Sequence, residues 1–152
     1  MKEYVIYTAG KMNGLEYTEQ MQWRLAVEKA IGHAIADRSF NVCAKYIHPP
    51  LYYEYGAKFQ NSEKEVKEWD TTRVMQSDIV IVNTDHVADS TGTHYELALC
   101  DAVNRLTDKH IFVIGVGSTS PEDLHPWIAD SIMRYEETIE EAAQYIVDYL
   151  LI

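Results

Sequence analysis

Asp78-Ile79-Val80-Ile81-Val82-Asn83, followed by Ser90-Thr91-Gly92-Thr93-His94-Tyr95-Glu96-Leu97-Ala98, is the stretch that decides the fold class. An unbroken run of β-branched residues reads as a strand buried on both faces, the kind found in parallel sheets. The second segment turns from loop into helix. Glu96 thus falls just past the carboxyl end of a central strand, where open α/β sheets bind their ligands.

Working outward, the same alternation of strand and helix extends in both directions. Tyr4-Val5-Ile6-Tyr7-Thr8 is a short β-rich run that ends in the two-glycine loop Ala9-Gly10-Lys11-Met12-Asn13-Gly14. Trp23, Val27, Ala30, Ile31 and Ala34 then recur at helical spacing, with Glu19, Gln20, Arg24, Glu28 and Lys29 expected on other faces. Phe40-Asn41-Val42-Cys43 reads as a second strand. A long connection, 44–61, carries His48-Pro49-Pro50 and the aromatics Tyr46, Tyr52, Tyr53, Tyr55 and Phe59. Ser62-Glu63-Lys64-Glu65 has the pattern of a capping box and opens a helix to about Gln76.

The Glu96 helix is expected from about Thr93 to Leu106, with Tyr95, Leu99, Ala102, Val103 and Leu106 inward. A fourth strand follows at His110-Ile111-Phe112-Val113-Ile114, then a loop from Gly115 to Ser120 and a short helix begun by Pro121. Ile132-Met133-Arg134-Tyr135 is a short last strand, and Thr138 caps a final helix with Ile139, Ala142, Ala143, Ile146 and Leu150 inward. Right-handed crossovers and this spacing favour one α/β domain over residues 1–152, a doubly wound, flavodoxin-like sheet of five parallel strands in the order 2-1-3-4-5.

Composition narrows the function classes. At 47% hydrophobic residues, 152 residues bury a single core without staples. A net charge of −11 repels phosphate polymers and anionic bilayers, which argues against nucleic-acid polymers and membranes as partners. No apolar run approaches the roughly 20 residues of a membrane span. The opening Met1-Lys2-Glu3-Tyr4 runs straight into strand pattern rather than a signal peptide. Cys43 and Cys100 read as two buried thiols in a reducing cytosol. The six histidines show no metal-ligand spacing.

Two carboxylates stand out. Glu96 has two readings: N3 member of the capping box Thr93-His94-Tyr95-Glu96, or nucleophile. Asp70 shares a helix face with Val66 and Trp69, where a carboxylate is costly unless paired or put to use. It reads either as an ion pair with Arg73 or as part of a site. Paired carboxylates suit glycosyl transfer, in which one attacks the anomeric carbon and a second group moves protons. The aromatic loop is either surface packing or a cover that stacks a planar ring, and Gly10–Gly14 is a weak phosphate-loop signal.

Ile6-Tyr7-Thr8-Ala9-Gly10-Lys11-Met12, Asp70 followed by Ser77–Val82, Gly92-Thr93-His94-Tyr95-Glu96-Leu97-Ala98, and His125-Pro126-Trp127-Ile128 through Ala142 together resemble the nucleoside 2-deoxyribosyltransferase family, including related nucleotide N-glycosidases. The resemblance covers nearly the whole chain. It implies that Glu96 attacks C1′ of the sugar, that Tyr7 orients that carboxylate, and that Asp70 assists proton transfer to the departing base. It implies substrate contacts from Gly10, Lys11, Met12, Asp89, Ser90 and Gly92, with Asp89 and Ser90 competing for one sugar or base contact. Gly10 and Gly92 would allow close backbone approach. Lys11 stands where the family often has proline and could pair with a 5′-phosphate. The resemblance further implies a homodimer or larger homo-oligomer and no metal or organic cofactor. The rival reading is a nucleotide- or ADP-ribose-type binding module on the same fold.

Overall fold

A computed structural model of the chain describes residues 1–12, 14–49 and 62–151. Its strands are β1 (Lys2–Ala9), β2 (Val42–Ile47), β3 (Ile79–Asn83), β4 (Phe112–Val116) and β5 (Arg134–Glu136). All pair in parallel, in the order β2-β1-β3-β4-β5. The helices are α1 (Tyr17–Arg38), α2 (Ser62–Gln76), α3 (Thr91–Leu106), α4 (Pro126–Asp130) and α5 (Ile139–Tyr145), the last continuing as a π-turn over Ile146–Leu150. The expected doubly wound α/β architecture is the one observed.

Period-two alternation along β1 divides the core. Ile6 joins Val27 and Ile31 of α1, Ala142 and Ala143 of α5, and Ile146 of the π-turn on one face. Tyr7 and Ala9 join Val74 of α2 and Leu97 and Cys100 of α3 on the other. The β3 residues Ile79, Val80, Ile81 and Val82 are all buried, divided between the two faces, as an unbroken apolar run requires. Leu151 is buried in the α1–α5 core, so the apolar C-terminus serves packing there; Ile152 lies outside the described residues.

Several local expectations are corrected. β2 is Val42–Ile47, not residues 40–43, because this edge strand alternates half-buried Val42, Ala44 and Tyr46 with exposed Cys43 and Lys45. Polar residues on the open side of an edge strand do not look like strand in the sequence. Tyr46 is therefore a sheet residue packed toward α1 rather than part of a connecting loop. Cys43 is exposed, not buried; Cys100 is buried as expected. Tyr52, Tyr53, Tyr55 and Phe59, on which a stacking cover was argued, lie outside the described residues, as does Asn13.

The end of β2 is latched to β1 and α1 by a polar chain. Thr8 Oγ1 lies 2.8 Å from His48 Nδ1, and His48 Nε2 lies 2.9 Å from Glu28 Oε2. At the opposite end of the sheet, Asp78 Oδ2 accepts from Val5 N at 2.8 Å. Among the described residues no helix is long and apolar enough to cross a membrane.

Candidate active site

The side chain of Tyr7 leaves β1 toward α2 and α3 and is completely buried. Its hydroxyl donates to Oε2 of Glu96, which is itself buried. Glu96 reaches that position because of where α3 begins. Ser90 is in extended backbone and accepts from Thr93 N at 3.3 Å, so it is the N-cap and Thr91 the first helical residue. The capping-box reading of Thr93 and Glu96 is thereby replaced: Glu96 sits a turn further in and bonds a residue 89 positions away rather than its own backbone.

The phase of α3 is also corrected. Thr93, Glu96, Leu97 and Cys100 face inward, whereas Tyr95 and Leu106, expected in the core, are 47% and 82% exposed. Both stripes have helical spacing; the buried one carries the smaller and more polar residues.

Burial pushes the Glu96 carboxyl up to about 8. The Tyr7 hydrogen bond pulls it down, the nearby Asp70 carboxylate raises it, and the Arg24 guanidinium lowers it. The Tyr7 phenol is held well above its ordinary range by burial first, then by the negative charges of Glu96 and Asp70. Cys100 is pushed up to about 12, chiefly by burial and next by Glu96. Tyr7, Asp70, Glu96 and Arg24 therefore share one electrostatic neighbourhood. Asp70 is half-buried on α2, one residue past Trp69, whose ring lies 4.6 Å from the Arg73 guanidinium carbon.

Arg24 is the residue that sequence reasoning placed wrongly. With Gln20 it was expected on an outer face of α1, yet Arg24 is completely buried and Gln20 is 3% exposed. Arg24 Nη1 donates to Gln20 O, and Nη2 donates to Gly10 O at 3.2 Å. The guanidinium lies over the Trp23 ring, 4.7 Å from its centroid. One signal was available: Gln20, Arg24, Val27 and Ile31 form an i, i+4, i+7, i+11 stripe, and all four are buried.

The same turn of α1 holds the loop after β1. Gln20 Nε2 donates to Met12 O at 2.7 Å and to Leu15 O at 2.9 Å. A Cβ on Gly10 would come within 2.8 Å of Trp23 Cζ2, so glycine is needed there for the chain's own packing. Gly92 has open space on the side where a Cβ would project. Lys11 Nζ lies 3.8 Å from Asp89 Oδ2, joining the loops after β1 and β3 at the surface. Ser90 Oγ, besides capping α3, lies 2.7 Å from Thr93 Oγ1. Of the expected contacts, Lys11 and Asp89 meet each other, Met12 is held through its backbone, and Ser90 is engaged in the cap.

Two open cavities of about 270 and 400 Å³ share Trp23, Asn83, Asp85 and Ile139 as walls, and Lys11 lines the larger. Neither reaches Tyr7 or Glu96. Hydrogen bonding and charge converge instead at the buried Tyr7–Glu96 pair. Trp23 connects the two regions, being both a cavity wall and the face on which Arg24 rests. The rim is tied by Asp85 Oδ1, which accepts from Ser118 N, Ser118 Oγ and Thr119 Oγ1, each at 3.1 Å. Among the described residues no three His, Cys, Asp or Glu side chains converge as metal ligands.

No protein-family model matches the chain, and no curated protein matches it. Among solved structures it is similar to an oxidoreductase from Corynebacterium diphtheriae, with 12% identity over 97% of this chain and 96% of that one and a TM-score of 0.51. A type II dehydroquinase from Propionibacterium acnes matches with 12% identity over 97% and 99% and a TM-score of 0.46. A flavoprotein from Thermotoga maritima matches with 15% identity over 97% and 35% and a TM-score of 0.40. At such identities the first of these speaks to a shared fold and the other two carry no argument.

Proposed function

We propose that this protein is an enzyme that cleaves or exchanges the N-glycosidic bond of 2′-deoxynucleosides or their monophosphates, with Glu96 as nucleophile. The observation that carries the reading is the buried Glu96 carboxylate held by the Tyr7 hydroxyl beside the half-buried Asp70. A helix cap has no use for a phenol bonded across the fold, and structural carboxylates are seldom kept where burial raises them this far.

In this reading a Glu96 oxygen attacks C1′, the C1′–N bond breaks, and its electron pair leaves with the base. Asp70 assists the transfer of a proton from solvent to the departing base. Water or a second base then attacks C1′ and releases Glu96. Tyr7 fixes which carboxylate oxygen is free to attack, because the other accepts its hydrogen bond. A nucleophile must be ionised, so with Glu96 near 8 the rate of the first step rises with pH through that value.

The test is incubation with each deoxynucleoside and each monophosphate, with and without a second free base, followed by assay for released or exchanged base. Glu96→Ala is run alongside and is expected to lose at least about a thousandfold in rate. Activity that survives in this variant removes the mechanism. A folded wild type that binds nucleosides or nucleotides but turns none over supports the binding-module alternative. Lys11→Ala is expected to slow monophosphates more than nucleosides; equal effects on both remove Lys11 as a phosphate contact.

A further inference from the structure

We propose that the crevice walled by Trp23 of α1 and Ile139 of α5 is a second binding site, for a small neutral planar heterocycle with a lactam edge, an N–H beside a C=O. The proposal rests on the crevice and not on the chemistry assigned to Glu96.

The cavities of about 270 and 400 Å³ have four walls in common, so together they form one crevice. Trp23 and Ile139 are its shared apolar walls, and Asn83 and Asp85, at the carboxyl end of β3, its shared polar ones. β3 lies beside β1 in the order β2-β1-β3, where the chain reverses its direction of travel across the sheet. Open α/β sheets take their ligands at such a point. Trp23 and Ile139 pack on the Ile6 face of the sheet, whereas Tyr7 and the Glu96 helix pack on the other.

The polar walls are set in complementary senses. Asn83 Oδ1 accepts from Asp85 N at 3.0 Å, which leaves the Asn83 Nδ2 amide as a donor. Asp85 Oδ1 takes the three donors of Ser118 and Thr119, which leaves Asp85 Oδ2 as an acceptor. Neither Nδ2 nor Oδ2 has a partner among the described residues, and neither is sealed in the interior. One unspent donor and one unspent acceptor thus stand two residues apart, each held by the other end of its own side chain. Gly117 is needed for this: a Cβ there would come within 2.5 Å of Thr84 Oγ1 and 3.0 Å of Asp85 Oδ1.

A lactam edge answers both groups, its carbonyl accepting from Asn83 and its N–H donating to Asp85. A ring that carries such an edge also has flat faces to bury against Trp23 and Ile139. Charge supplies the remaining requirement. Glu19, Glu137 and Glu140 line the crevice against Lys11 and His86, and Lys11 Nζ is already 3.8 Å from Asp89 Oδ2. A phosphorylated ligand would meet this excess of carboxylate, so the neutral heterocycle is favoured.

The full chain, labelled with 15N, is titrated with uracil and separately with 1,3-dimethyluracil, which keeps the ring but has no N–H. The signals followed are the Asn83 side-chain amide and the Trp23 indole N–H, assigned by their loss in Asn83→Asp and Trp23→Phe. Uracil is expected to shift both with a dissociation constant below about 10 mM, and 1,3-dimethyluracil to bind at least about tenfold more weakly. Asn83→Asp can still accept from Asp85 N but has no donor to offer, and is expected to weaken uracil by at least about tenfold. Absence of uracil binding, equal binding of the dimethyl compound, or an unchanged affinity in folded Asn83→Asp each overturns the proposal. If Asn83→Asp does not fold, the two ligands decide on the wild type alone. Uridine monophosphate binding as tightly as uracil overturns the neutral class. Glu96→Gln should bind uracil as the wild type does; loss of both shifts in that folded variant would move the ring to the Tyr7–Glu96 pair and overturn the second site. Absent glycosidic turnover removes the function proposed above and leaves this inference intact.

Discussion

Tyr7 and Thr8 are neighbours on β1, point to opposite faces of the sheet, and are both completely buried. Each bonds a titratable partner brought from elsewhere in the chain. Thr8 meets His48, whose other ring nitrogen meets a Glu28 side chain that is 45% exposed. Tyr7 meets Glu96, which remains in the interior beside a second carboxylate. In the first chain both ring nitrogens have partners and the last carboxylate reaches water. In the second the hydrogen bond is equally well made, yet charge is confined where it is poorly solvated. Hydrogen-bond satisfaction is thus common to both sides, and charge balance is what separates a latch from a site.

The largest test of that contrast is Glu96→Gln. Burial raises Glu96 from 4.5 to about 8, so between these pH values the folded protein holds a proton that the unfolded chain has released. Glu96 then contributes stability that is full below about pH 4.5 and is lost as pH rises through about 8. Urea unfolding of the wild type should show this decline, amounting to a few kcal/mol, and Glu96→Gln should flatten it. An unchanged slope would place Glu96 among ordinary paired carboxylates. Tyr7→Phe comes next. It removes a hydrogen bond that favours the anion, so Glu96 is raised further, and under the proposed function base release at neutral pH falls by roughly 10- to 100-fold.

On the latch side, His48→Ala leaves the buried Thr8 hydroxyl without its ring partner and is expected to cost about 1–3 kcal/mol in denaturant unfolding. Base release should change by less than about threefold. A catalytic loss as large as that of Tyr7→Phe would erase the distinction between the two faces. Smallest of all is Asp89→Asn. Its pair with Lys11 is solvated, and stability should move by less than about 1 kcal/mol in the same measurement.

The residues explain why the sheet was legible and parts of the site were not. Ile79–Val82 has no polar residue to mislead, and the turn and cap residues around it mark where each crossover begins. β2 was misread because Cys43 and Lys45 face solvent on an edge strand, while the apolar alternation runs through Val42, Ala44 and Tyr46. In α3 the large side chains Tyr95 and Leu106 fall at helical spacing with Leu99 and Val103, which do pack against the core at its edge, and residue size drew the expected stripe too far round the helix. Arg24 was placed off the apolar stripe of α1, since arginine is seldom fully buried. The first turns of α1 cover the loop after β1 rather than apolar sheet, and there a buried cation finds carbonyls to hold it. The pairing of Tyr7 with Glu96 spans 89 positions and emerges only when α3 crosses the end of β1. Resemblance suggested that meeting; periodicity could not.

Asp85 has a consequence for how the cavity rim moves. One carboxylate oxygen gathers three donors from Ser118 and Thr119, closing a loop of 33 residues without a covalent bond. The Ser118 amide is exposed by position yet engaged by geometry. Its exchange with solvent deuterium is therefore governed by local opening of this clasp rather than by its distance from water. Asp85→Ala, by removing the clasp between the loops after β3 and β4, should therefore speed exchange of the Ser118 amide.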